Sequence, residues 1–426
     1  MPLIKKSIAW LFLSSLSLAL AGLFSVIIVF ARVPVIKEIL PFADLFRTAL
    51  VIHVDLSQIF WFMTVSIALS LCCFKSDDFI DNILKKITII SLLLITLSTL
   101  TGGTPILSNY VPFIDNNIIF SLSISLFFTI IVIYNLYLLY FGKSYKNNIE
   151  SVLQTGNQIT IITAFAILLL TIISLKPAFP TSEYYEYLFW GFGHILQFSY
   201  CYLLMHVWVK LCDYKTNFPK TLTIIVLMHG LFAVLASLYF MSPDITSYKI
   251  FFTKHMSYIS IAPTLLMLLL LIDRKNISFK AFPYGKYYLL TSITLFLFGG
   301  IIALFIKESN TIIPAHYHGS IVAITIAIMG FILLTFSQYG LIEKSYKLIK
   351  IVPLTYFTGQ LMHIGGLALS GGYGALRKSP DSLNNAQAKF WMGIMGMGGL
   401  IAIIAGFIFI YICYIAFKNY KKRNYV

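Results

Sequence analysis

The chain has 426 residues, of which 59% are hydrophobic and only 11% charged, with a formal net charge of +15 and a mean hydropathy of +0.87. That balance excludes a soluble globular protein and implies a polytopic membrane protein. No soluble basic module carries the positive charge, so nucleic acid is excluded as a partner as well.

Apolar runs long enough to cross a bilayer occupy positions 7–31, 45–74, 82–101, 117–142, 157–176, 184–212, 219–240, 249–272, 287–307, 314–341, 350–370 and 390–417. Each is near the ~20 residues a hydrocarbon core requires. They predict an all-α bundle of about twelve transmembrane helices, forming a single domain over residues 1–426. The first run follows Lys5 and Lys6 without a small-residue cleavage pattern and reads as a retained helix, not a signal peptide. An even number of spans puts both termini on one side. Most of the 31 Lys and Arg fall on segments facing that side, including Lys85-Lys86, Arg274-Lys275 and the clusters at 344–350 and 418–423. The positive-inside rule therefore predicts N-in and C-in, with the basic collar facing anionic lipid. The 5 cysteines form no Cys-x-x-Cys, so neither a zinc knuckle nor a c-type haem attachment is expected.

The 8 histidines all fall in the apolar runs or at their edges. His53, His194, His229, His255, His316, His318 and His363 lie a few residues to about ten from the outer ends of their helices. At 1.5 Å per residue this places them in one slab within roughly 15 Å of the outer surface. A layer of imidazoles from several helices resembles a metal or haem plane. His206 is the exception, near the inner end, and reads as an interface or hydrogen-bonding histidine. Asp55, two residues after His53, faces away from it; an intramembrane carboxylate points either to a proton or propionate-related role or to a structural hydrogen bond.

In Pro314-Ala-His316-Tyr-His318-Gly the two histidines at i and i+2 of a helix point about 200° apart. They are badly placed to share one metal and well placed to hold two planar groups, one on each side.

These residues resemble a family. Phe-Trp190-x-x-Gly-His194 resembles a motif of subunit I of the haem–copper oxidases, and Ala-His316-Tyr-His318 resembles their tenth-helix motif. Leu361-Met-His363-Ile-Gly-Gly-Leu, with Arg377-Lys378 downstream, is similar to the following helix and its basic pair. The resemblance implies two haems. His53 and His318 would clamp the low-spin haem, His316 would hold the high-spin haem, and Arg377 and Lys378 would pair with propionates. It also implies copper at His194, with His255 and His229 as further ligands. The chain departs from the pattern in three places. Lys254-His255-Met256 stands where the family has adjacent histidines, and Phe198 where many members have a tyrosine. The usual acidic and lysine proton inlets are missing too. Tyr200 or Tyr258 could supply a phenol, and spacing does not choose between them.

The expectation is therefore a respiratory electron-transfer protein of a bacterial inner membrane, an oxidase-type oxidoreductase reducing O2. Other oxidase subunits and a cytochrome c or quinol donor would be its partners. The alternatives are a copper-less haem relay or gas sensor, and a proton-coupled transporter using intramembrane histidines.

Overall fold

The computed structural model describes residues 2–30, 45–145, 149–176, 179–215, 228, 231–232, 234–239, 242–307, 309–343, 346–377 and 385–424. The run expected at 219–240 lies mostly outside the described residues, and His229 and Lys378 lie outside them entirely.

In chain order the helices are α1 (Pro2–Phe30), α2 (Leu45–Cys73), α3 (Asp78–Leu97), α4 (Ile118–Phe141), α5 (Ile149–Ser174) and α6 (Thr181–Leu211). They continue with α7 (Thr246–Met256), α8 (Ile261–Ile272), α9 (Gly285–Ala303), α10 (Ile312–Gln338), α11 (Leu348–Gly372) and α12 (Ala386–Asn424). Among the described residues, 9 helical segments, α7 and α8 together counting as one, are long and apolar enough to cross a membrane. The remaining two long helices, α6 and α11, carry more polar and aromatic residues and include three of the histidines. The protein is an all-α, multi-pass membrane protein.

Two helices start at side-chain caps that the sequence offers. The Asp77 carboxylate accepts from the N–H groups of Phe79 and Ile80 at the start of α3, and Asn117 does the same for Phe120 at α4. The chain forms two compact units, Met1–His206 with Asn217–Leu265, and Val207–Thr216 with Leu266–Val426.

Within the first unit, Asp81 is buried in an apolar setting and fully partnered. Trp10 Nε1 donates to Oδ1 at 2.7 Å, Tyr134 Oη donates to the same oxygen at 2.8 Å, and Lys85 Nζ lies 3.0 Å from Oδ2. A carboxylate withdrawn from water needs this number of partners.

Three features of this unit were not anticipated. Residues 55–60 of α2 form a π-helical stretch, closed by the Trp61 N–H donating to Leu56 O. Ser17 Oγ also donates to Leu56 O at 2.8 Å, which serves the carbonyls displaced by the wider turn. The connection after α3 carries a hairpin, β1 (Thr104–Ile106) paired antiparallel with β2 (Phe113–Asp115). Asn109 is held by the Glu186 carboxylate, and Tyr185 Oη donates to Asp115 at 2.9 Å, tying the hairpin to the start of α6. The run expected at 249–272 is interrupted at 257–260. There the bonds are i to i−3, as in Ser257 N–H to Lys254 O at 3.1 Å and Tyr258 N–H to His255 O at 3.2 Å. Pro263 has no N–H for the carbonyl four residues back, so the helix restarts at Ile261.

Candidate functional site

Five of the expected histidines share one arrangement. His53 Nδ1 donates to Ala21 O at 2.8 Å and His194 Nδ1 to Trp190 O at 2.7 Å. His316 Nδ1 donates to Gly299 O at 2.8 Å, His318 Nδ1 to Pro314 O at 2.8 Å, and His363 Nδ1 to Met395 O at 3.1 Å. A carbonyl can only accept, so each neutral ring carries its proton on Nδ1 and turns the Nε2 lone pair outward. Metal-ligating histidines are commonly prepared in this way.

In the second unit the arrangement depends on glycine. A Cβ on Gly299 of α9 would lie 2.7 Å from Ser320 N, and one on Gly319 of α10 would lie 2.6 Å from Gly299 Cα. The two helices therefore meet backbone to backbone, which brings the Gly299 carbonyl within reach of His316. His318 lies beside His363 with ring centroids 5.0 Å apart, and Tyr317 packs against His318 at 5.0 Å. Arg377 is held near the start of α10: Leu376 bridges to Asn310 and Thr311 N–H donates to Ala375 O at 3.0 Å. The backbone leading into Arg377 is thus tied to the residues that open α10.

In the first unit, His194 is buried and engaged on both nitrogens. Tyr110, from the hairpin loop, donates its O–H to Nε2 at 3.0 Å. The adjacent Gly193 is what admits the phenol, since a Cβ there would overlap the Tyr110 ring. Tyr110 Oη also lies 3.9 Å from Met256 Sδ. His255 is buried between Phe198, at 4.8 Å, and Phe251, at 5.9 Å and nearly parallel. The phenol at His194 therefore comes from Tyr110, not from Tyr200 or Tyr258. Tyr258 is largely exposed, and Tyr200 Oη donates to Gln58 O in the π-helical stretch at 3.4 Å.

The residues fit haem through the prepared Nε2 atoms of His53, His316 and His318. They fit copper less well. Among the described residues no third histidine, cysteine or carboxylate joins His194 and His255 at metal-ligand spacing, and the Tyr110 hydroxyl occupies the direction His194 would offer to an ion.

Asp55 is fully buried at the start of the π-helical stretch, and neither oxygen has a hydrogen-bond partner among the described residues. The sequence marks it as an intramembrane carboxylate facing away from His53. Tyr110 was not legible in the sequence, because its only signal is an aromatic residue between the apolar runs 82–101 and 117–142.

No family model matches the chain. A solved structure, a haem–copper terminal oxidase dimer, superimposes with a TM-score of 0.71 at 15% identity, covering 98% of this chain and 84% of that one. The fold is therefore that of a haem–copper terminal oxidase. An uncharacterized protein of Aquifex aeolicus is 27% identical over 81% of this chain and 88% of its own length. Uncharacterized protein RP382 of Rickettsia prowazekii is 34% identical over 95% of this chain and 94% of its own length. By its identity and coverage with that relative, the chain belongs to the family of the Rickettsia protein RP382.

Proposed function

We propose that this chain is a haem-binding, oxidase-like respiratory protein of a bacterial inner membrane that moves electrons between two haems. The observation carrying this reading is the shared tautomer of His53, His316 and His318, each presenting Nε2. On the resemblance, His53 and His318 hold the low-spin haem and His316 the high-spin haem, with Arg377 and Lys378 neutralising propionates. Bound there, haem would supply a one-electron couple and a place for a diatomic ligand such as O2. The chain's own part is to fix the ring planes through the carbonyls of Ala21, Gly299 and Pro314 and to raise ligand basicity. The electron donor is a cytochrome c or quinol, with other oxidase subunits as partners.

Tyr110 favours a second reading, a copper-less relay or diatomic sensor. With its hydroxyl on His194 Nε2, the His194, His255 and His229 set expected for copper is capped at its first member.

A reduced-minus-oxidised optical spectrum of the purified protein, with and without carbon monoxide, tests both readings alongside iron and copper analysis. Two irons, one copper and a CO shift at one haem support the oxidase. Two irons without copper support the relay, and no iron removes the haem reading.

A further inference from the structure

A second cluster of ligating side chains lies at the other end of the first unit. The Cys73 thiol, the Glu150 carboxylate and the His206 imidazole each offer one atom, and these atoms all lie within 4.8 Å of one another. His206 follows His194 by twelve residues in α6, which separates the two by about 18 Å along the axis. Cys73 follows His53 by twenty residues of α2, or about 30 Å. The histidine layer and this cluster are therefore distinct. We propose that Cys73, Glu150 and His206 form a binding site for a borderline-soft divalent cation of the zinc class.

The donor set carries the assignment. Thiolate, imidazole and carboxylate are the three ligand types that zinc accepts, and tetrahedral bonds of 2.0–2.3 Å space ligand atoms about 3.5 Å apart. Closing the present cluster needs movements of roughly 1 Å, within the reach of side-chain torsions. A thiolate and a carboxylate together supply two negative charges, which neutralise a dication in a setting too dry to hold an uncompensated one. Three protein ligands leave the fourth position for water or another small donor.

The surroundings resemble the supporting shell such a site requires. His206 is fully buried, and its Nδ1 lies 2.7 Å from the Gln154 amide. Gln154, also fully buried, accepts from Ser70 Oγ at 3.0 Å, and Asn157 lies 3.4 Å from the same oxygen. With a cation on Nε2, Nδ1 keeps its proton and donates to the amide oxygen, which half a turn of the Gln154 amide supplies. Cys73 is buried, while Glu150 is half-buried and gives the ion a way in. The competing account is a metal-free cluster in which Glu150 simply favours the N-terminal turn of α5. It predicts no thiolate–metal bond.

The full-length protein in detergent, cleared of adventitious metal with a chelator, should be titrated with Zn²⁺ against a chromophoric competitor and separately with Co²⁺. The expected result is a near-ultraviolet thiolate-to-cobalt band in the wild type and in Cys72→Ala. The band is lost in Cys73→Ala, and Zn²⁺ binding falls at least tenfold in Cys73→Ala, Glu150→Gln and His206→Ala. Affinity should rise with pH, because binding displaces the thiol proton. A wild type without the cobalt band, or a Cys73→Ala protein that binds Zn²⁺ as tightly as the wild type, overturns the proposal. The wild-type band alone decides the matter if a variant does not fold.

Discussion

Tyr110 and His194 stand 84 residues apart in the chain, yet the phenol of one donates to Nε2 of the other across 3.0 Å. The contact fixes the hairpin loop against α6 and takes up the nitrogen a metal would need. Tyr110→Phe removes the hydroxyl and keeps the ring. It should cost about 1 kcal/mol of stability and raise the copper bound per chain after incubation with copper. A thermal melt and elemental analysis check the two effects; copper content equal to wild type would mean that the hydroxyl does not gate the site.

The two histidines of α10 should separate cleanly. His318→Ala should abolish the low-spin haem signal. His316→Ala should spare that signal and remove the carbon monoxide-sensitive one. Difference spectra of the two variants decide the assignment, and two haems in both would refute it.

Gly299 and its neighbour Gly300 offer a matched pair. A Cβ at 299 meets the α10 backbone, whereas one at 300 has nothing within 4 Å. Gly299→Ala should destabilise by about 1–3 kcal/mol and reduce haem content by breaking the carbonyl contact to His316. Gly300→Ala should be neutral or stabilising by up to about 1 kcal/mol, since alanine is the better helix former. Melting curves and haem-to-protein ratios provide the comparison.

Asp55 has no hydrogen-bond partner among the described residues, so its conservative replacement should not harm the fold. Asp55→Asn is expected to melt at or above the wild-type temperature. If the carboxyl takes up protons during turnover, electron-transfer rate should fall at least tenfold in the same variant. Stopped-flow reoxidation measures that rate, and unchanged kinetics would assign Asp55 no role in proton uptake.

Asp81 behaves in the opposite sense. Asp81→Ala leaves Trp10, Tyr134 and Lys85 without their common acceptor and should cost about 3–5 kcal/mol. Denaturation in detergent would register this as a large drop in midpoint, while Asp78→Ala at the exposed end of the same helix should barely change it.

Helix positions were largely legible in the sequence, because an apolar run of spanning length has few alternatives in a bilayer. Expected 45–74 and 117–142 match Leu45–Cys73 and Ile118–Phe141 within two residues. The hairpin at 104–115 was not legible. Its short strands gain their stability from Tyr185 and Glu186 of a distant helix, which no local pattern encodes. The break before α8 was signalled by Pro263, but the run around it is apolar enough to mask the signal. At the site, the histidines themselves could be named from the sequence. The carbonyl partners that set each tautomer could not, since they depend on which backbone lies opposite. Cys73, Glu150 and His206 come from three separate segments, and only the packing of α2, α5 and α6 gathers them.

The π-helical stretch at 55–60 adds one residue to α2 beyond what α-helical spacing would use. One residue is worth about 100° of rotation, so the stretch sets the phase between two halves of the same rod. Above it, His53 is aimed at the Ala21 carbonyl. Below it, Ser66 and Ser70 are aimed at Asn157 and Gln154. A chain lacking one residue here would keep its hydropathy, its length class and its number of spans. It could still satisfy only one of the two alignments, taking either the imidazole away from the Ala21 carbonyl or Ser66 and Ser70 away from the Asn157 and Gln154 amides.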